Sequence, residues 1–68
     1  MTTKESVSKL LRDKRKTLGI SQSLLAEQAG IDRKTVNRIE NGHFYPKLET
    51  LVALSEALSV PTDELIGK

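Results

Sequence analysis

The stretch of sequence that decides the fold is residues 22–41, QSLLAEQAGIDRKTVNRIEN. Its spacing predicts two short helices joined by a tight turn. Ala26 lies in the middle of the first helix, where two steeply crossing helices leave room for little more than a methyl group. Gly30 lies at the turn, where the chain must leave this helix through positive φ, and glycine does so without steric cost.

One side of this helix pair is apolar and the other is basic. The apolar side chains that we expect to face inward are Leu25, Ala29, Ile31, Val36 and Ile39. The residues that the second helix then turns outward are Arg33, Lys34, Asn37 and Arg38. A short, rigidly held helix with guanidinium, ammonium and amide groups fits the floor of a DNA major groove.

Composition limits the protein to a small aliphatic core. The 68 residues predict one domain over residues 1–68, with a core of about residues 5–66. Phe44 and Tyr45 are the aromatic residues, and no cysteine is present to form a disulfide or a thiolate metal site. No apolar run approaches the ~20 residues of a membrane span, and no signal-like block follows the N-terminus. We therefore expect a soluble, cytoplasmic protein without a membrane partner.

Charge is distributed unevenly along the chain, although the formal net charge is only +2. Residues 1–38 contain nine Lys and Arg against four Asp and Glu, whereas residues 39–68 contain two against five. Such a charge distribution suits a protein that places one face against a polyanion. The alternative is that these charges only solvate a small helical protein.

Apolar periodicity and capping signals predict five helices. The first covers about residues 5–18, ends at Gly19, and turns inward Val7, Leu10, Leu11 and Leu18. The predicted N-caps of the second and third helices are Ser21 and Asp32, and the third stops at Asn41-Gly42. The fourth covers residues 47–58 with an apolar face of Leu48, Leu51, Val52, Leu54, Ala57 and Leu58. Pro61 is placed in the first turn of the fifth, so the predicted fold class is all-α, a compact five-helix bundle.

Taken together, these positions resemble the small helix-turn-helix proteins of the phage lambda repressor and Cro type, also called the XRE family. The resemblance covers about residues 7–66, at Arg15, Leu18-Gly19-Ile20-Ser21-Gln22, Leu25-Ala26, Ala29-Gly30-Ile31, Val36, Ile39-Glu40-Asn41-Gly42, Pro46, Leu51, Leu54, Ala57-Leu58, Val60 and Asp63-Glu64-Leu65. It implies a lambda repressor-like DNA-binding domain. It also implies a sequence-specific transcriptional regulator, chiefly a repressor, that binds a two-fold-symmetric operator in double-stranded DNA as a homodimer.

The resemblance also implies roles for individual residues. Arg33, Lys34 and Arg38 correspond to positions that contact base edges, with Asn37 as a fourth, and Lys34 fits a phosphate equally well. Gln22 corresponds to a position that contacts a phosphate and braces the first base contact. The full set that we expect at phosphates is Arg12, Lys14, Lys16, Ser21, Gln22, His43, Tyr45 and Lys47. For Arg12, Lys14 and Lys16, a merely solvated surface is the alternative.

Arg15 is expected to differ from its basic neighbours. It follows Leu11 by four residues and Val7 by eight, which places it at the inward edge of the first helix. The family pattern pairs such an arginine with the glutamate that ends the recognition helix, here Glu40. The resemblance therefore implies a structural ion pair, and the alternative counts Arg15 among the charges that face DNA.

The sequence departs from the family pattern at three positions. Leu24 replaces a glutamate that commonly completes a capping box with Ser21, and Asp32 puts a carboxylate near phosphates. Lys47 replaces a Ser or Thr that commonly caps the fourth helix. We interpret Lys47 as a residue that serves DNA contact rather than the fold.

The fifth helix is the predicted dimer interface, formed by Leu65 and Ile66. Adjacent helical residues point about 100° apart, so we assign Leu65 to the core and Ile66 to the partner. The alternative is that Ile66 folds back into the same core.

No pattern in the sequence favours an enzyme, a metal site, a cofactor or a small-molecule ligand. The lone histidine, His43, lies in a predicted loop, where such residues are most often simply solvated. The alternative function is an antitoxin or other protein-interaction module that binds its partner through the acidic C-terminal half.

Overall fold

The computed structural model describes residues 3–66, apart from the side chain of Ile66, and confirms the all-α fold class. The helices are α1 (Lys4–Leu18), α2 (Gln22–Ala29), α3 (Arg33–Glu40), α4 (Leu48–Leu58) and α5 (Thr62–Ile66). None of residues 3–66 lies in a strand. Over the same residues, no helix has the length and apolar character needed to cross a membrane.

Left-handed residues terminate the helices where the sequence analysis expects glycine. Gly19 ends α1 with φ of 71°, and Gly30 ends α2 with φ of 72°. A Cβ atom added at Gly30 would meet no atom within 4 Å, so glycine is required there by the backbone angle and not by lack of space. The turn between α2 and α3 is closed by the Ile31 N–H, which donates to the Ala26 carbonyl at 2.9 Å.

All five helices contribute to one aliphatic core. Its ten members are each 3% exposed or less: Val7, Leu11, Leu25, Ala26, Val36, Ile39, Leu51, Leu54, Leu58 and Leu65. The helix-turn-helix pair is therefore held from behind by α4, which packs against α2, and by α1, which packs against α3, while α5 packs against α1 and α4.

Three residues that the periodicity places inward are exposed instead. Leu18 is 52% exposed because it is the last residue of α1, directly before the turn at Gly19. Leu48 is 67% exposed in the first turn of α4. Val52 is 36% exposed because it lies about 110° around α4 from the centre of its buried stripe. The predicted apolar faces of α1 and α4 were therefore too broad.

Two predicted helix starts also differ in detail. Asp32 is the N-cap residue of α3, as predicted, but its carboxylate makes no capping hydrogen bond, so the prediction that it caps like Ser21 is wrong. This side chain is exposed, so water hydrates the carboxylate in place of the capping bond. Pro61 precedes α5 and does not lie in its first turn, since its carbonyl accepts from the N–H groups of Glu64 and Leu65.

Candidate nucleic-acid interface

The surface of interest is the outward face of α3. Val36 and Ile39 on the opposite face are fully buried, which fixes how the helix is rotated about its axis. The residues that this rotation exposes are Arg33, Lys34, Asn37 and Arg38. The structure thus brings the four residues expected at bases to one exposed surface.

The C-terminal end of α3 is anchored by an ion pair to α1. Arg15 Nε donates to Glu40 Oε2 at 2.6 Å, and Arg15 Nη2 donates to Glu40 Oε1 at 3.0 Å. The two side chains are only 12% and 3% exposed. The hydrogen bonds with Glu40 raise the pKa of the Arg15 guanidinium, against the opposing effect of burial. A third donor, Nη1, reaches the Ile20 carbonyl at 2.8 Å, so Arg15 also holds the turn between α1 and α2.

The backbone carbonyl of Glu40 is held by α1 as well. The buried Ser8 hydroxyl donates to it, and Arg12 Nη1 donates to it at 3.4 Å. The last carbonyl groups of a helix have no partner within the helix, and these side chains supply one. Arg12, expected at a phosphate, is therefore placed at the end of α3 and half-buried.

A chain of amide side chains leads from Glu40 to the exposed face. Gln22 Nε2 donates to Glu40 Oε1 at 3.0 Å. Asn37 Nδ2 donates to Gln22 Oε1 at 3.3 Å, and Asn41 Nδ2 donates to Asn37 Oδ1 at 3.2 Å. Gln22, at the N-terminus of α2, is thus tied to α3 from both ends of its amide.

The remaining residues expected at phosphates are placed in different ways. Lys14 forms an ion pair with Glu64 of α5 at 3.0 Å, so it contributes to the contact between α1 and α5. The Ser21 hydroxyl accepts from the Leu24 N–H at 3.0 Å and caps α2. Lys47 precedes α4 without a side-chain capping bond. The exposed side chains of this set are Lys16, Ser21, His43, Tyr45 and Lys47.

Of the two α5 residues named for the dimer interface, Leu65 belongs to the core. Leu65 is fully buried within its own chain, which confirms its assignment to the core and leaves its side chain no surface to offer a partner. The side chain of Ile66 lies outside the described residues, and its contact with a partner stays a prediction.

The sequence patterns did not reveal the role of Ser8 or the capping box at the start of α1. Ser8 follows Val7 and precedes Leu11 by three residues, a position at the edge of the buried stripe that could have indicated an inward hydroxyl. At Thr3, the side chain accepts from the Ser6 N–H at 3.1 Å, and Ser6 Oγ accepts from the Thr3 N–H at 3.0 Å. This pair carries serine where glutamate is common, which is why the usual pattern does not reveal it.

Curated proteins with similar sequences are transcriptional regulators by name. The transcriptional repressor RstR of the cryptic phage CTXphi of Vibrio cholerae is 31% identical over 62 residues, which cover 91% of this chain and 55% of RstR. The transcriptional regulator ImmR of Bacillus subtilis is 33% identical over 63 residues, which cover 93% of this chain and 50% of ImmR. The chain therefore spans about half the length of these two relatives.

Solved structures share the arrangement of helices. The restriction-modification controller protein C.AhdI of Aeromonas hydrophila has a TM-score of 0.88 at 32% identity, covering 91% of this chain and 94% of that one. The P22 c2 repressor in complex with a synthetic operator has a TM-score of 0.84 at 31% identity, covering 90% and 92%. The helix-turn-helix family model matches residues 11–65. The chain therefore belongs to the helix-turn-helix family of the XRE type.

Proposed function

We propose that this chain is a sequence-specific DNA-binding transcriptional regulator whose helix α3 enters the major groove. The observation that carries the proposal is the exposure of Arg33, Lys34 and Arg38 on a helix whose opposite face is completely buried. A helix fixed in this way presents its cations on a backbone that need not be ordered on binding.

The exposed cations have the chemistry that base recognition needs. Arginine donates two parallel hydrogen bonds to O6 and N7 of guanine, and each such contact contributes about 1–3 kcal/mol of discrimination against the wrong base. Arg33 and Arg38 are the residues to which we assign this role. Lys34, as a point charge on a flexible stem, fits either a base edge or a phosphate.

Phosphate contacts are assigned to exposed or half-buried polar residues near both ends of the helix pair. Backbone N–H groups at the start of α2 and in the loop after α3 suit the sugar-phosphate strands. The side chains assigned to this set are Lys16, Ser21, Gln22, His43, Tyr45 and Lys47. They position the protein on DNA and carry no sequence information themselves.

The chain acts as a homodimer on a two-fold-symmetric operator in this proposal. Two symmetric recognition helices enter successive major grooves when the half-sites are about 10–11 base pairs apart. Repression is the expected outcome, by analogy with RstR and with the P22 c2 repressor, both named as repressors.

Selection from a random-sequence DNA pool tests the proposal. The purified protein is expected to enrich a two-fold-symmetric sequence, and sedimentation of the complex is expected to give two chains per site. A variant carrying both Arg33→Ala and Arg38→Ala serves as the control and should enrich a sequence whose base preference is relaxed at two positions in each half-site. Failure of the wild-type protein to enrich any sequence would overturn DNA recognition, and one chain per saturated site would overturn the dimer.

A further inference from the structure

We propose that Asn37 is a positioning residue and that Glu40 sets the direction of the amide chain Gln22–Asn37–Asn41. The consequence is a surface beside the recognition helix whose amide groups all offer N–H donors to DNA. This inference rests on the proposed function, and it replaces the base contact that the sequence predicts for Asn37.

The direction of the chain follows from the chemistry of Glu40. An ionised carboxylate only accepts hydrogen bonds, so Gln22 must turn its NH2 group toward Glu40 Oε1, 3.0 Å away. Arg15 fixes the same carboxylate through its two short bonds, which prevents it from turning away. The burial of Glu40, at 3% side-chain exposure, keeps water from taking the place of Gln22.

The orientation of the Gln22 amide determines that of Asn37, which in turn determines that of Asn41. The Gln22 carbonyl oxygen faces Asn37 and accepts from Asn37 Nδ2 at 3.3 Å. The Asn37 carbonyl oxygen then accepts from Asn41 Nδ2 at 3.2 Å. An asparagine that contacts adenine needs its oxygen as acceptor and its nitrogen as donor in the plane of the base. Both ends of the Asn37 amide are already engaged within the protein.

The N–H donors left over along the amide chain suit phosphate oxygens. Every amide nitrogen carries two hydrogens and uses one in the chain, so Gln22, Asn37 and Asn41 each keep one N–H. Phosphate oxygens are acceptors only, and phosphate contacts fix the register of a protein on DNA without specifying sequence. Because Arg15 neutralises Glu40, the carboxylate orients the chain without repelling the DNA strand.

The base preference of Asn37→Ala separates positioning from base contact. We expect this variant to enrich the same sequence as the wild-type protein and to bind it about two- to tenfold more weakly, the loss of a modest hydrogen-bond contribution. Arg38→Ala is the matched control on the same face and should change the preference at one position in each half-site. A changed preference with Asn37→Ala, similar to that of the control, would assign Asn37 to a base.

A measurement on the free protein tests the hydrogen bonds of the amide chain, independently of DNA binding. The side-chain NH2 signals of Gln22 in 15N-resolved NMR spectra should shift in Asn37→Ala and in Glu40→Gln. Those of Gln28, which is exposed on α2, should not shift and provide the internal control. Unchanged Gln22 signals in both variants would overturn the proposed amide chain Gln22–Asn37–Asn41, even if the wild-type protein binds DNA. Absence of DNA binding with shifted signals would instead contradict only the proposed function.

Discussion

Arg15 and Glu40 lie 25 residues apart in sequence, yet their side chains meet in a paired, largely buried contact between α1 and the end of α3. The Glu40 carboxylate also accepts a hydrogen bond from Gln22. Its backbone carbonyl accepts hydrogen bonds from Ser8 and Arg12. Glu40, the residue that ends α3, is therefore the point at which α1, α2 and α3 are joined. We expect changes there to affect folding first and DNA recognition as a consequence.

Arg15→Ala should strongly destabilise the protein. It leaves the Glu40 carboxylate at 3% exposure without its cation, and breaking a buried pair in this way costs on the order of 3–5 kcal/mol. For a chain of this size, thermal unfolding should then occur more than about 10 °C lower. Glu40→Gln is the control and should lose less, since its amide oxygen still accepts from Arg15. An Arg15→Ala protein that melts like the wild type would contradict the structural role.

Arg33→Ala and Arg38→Ala should each relax base preference at one position per half-site. The expected loss is about 1–3 kcal/mol of discrimination for each, measured by selection and by titration of matched and mismatched operators. Arg33→Lys and Arg38→Lys keep the charge but lose the two parallel bonds, so they separate base contact from simple attraction. If both alanine variants enrich the wild-type sequence, base recognition by these residues is wrong.

Lys47→Ser should make the protein more stable and its DNA binding weaker. The hydroxyl would cap α4, where no side-chain capping bond now exists, and a cation would leave the positive end of the helix dipole. Together these effects contribute about 1 kcal/mol to the free energy of unfolding. Loss of one phosphate contact should weaken binding to every sequence and reduce the salt slope by about one.

Lys47→Ala serves as the control for this pair of effects. It removes the same charge without supplying a capping oxygen, so it should match Lys47→Ser in binding but not in stability. If Lys47→Ser binds as tightly as the wild type at every salt concentration, Lys47 does not contact DNA.

Ser59→Gly should stabilise the end of α4. Ser59 has φ of 59°, the one positive φ outside glycine among the described residues, and its N–H donates to the Glu56 carbonyl at 3.1 Å. Glycine removes the steric cost of this conformation but loses more entropy on folding, which leaves a net gain of about 0.5–1 kcal/mol. Chemical denaturation measures the change, and Ser59→Ala is the control that should show no gain. Equal stability of the glycine and alanine variants would mean that this angle carries no cost.

Local patterns in the sequence were sufficient for the helices and for the basic face of α3. Glycine at positions 19 and 30 ends a helix because glycine adopts the required positive φ without steric cost, a local property that the sequence shows directly. Arg33 shares a face with Asn37, and Lys34 with Arg38, because each pair is four residues apart on the helix, whatever the rest of the molecule does. The resemblance to a known family added the pairing of Arg15 with Glu40.

Only the tertiary structure decided which residues of other helices each helix face contacts. A period of 3.6 residues shows where a side chain lies around its own helix, but not which other helix covers it or where that cover ends. Leu18 and Leu48 are exposed for this reason, since no neighbouring helix covers their ends of α1 and α4. Likewise, Ser8 and Gln22 reach Glu40 from 32 and 18 residues away, through the angles at which α1 and α2 cross α3.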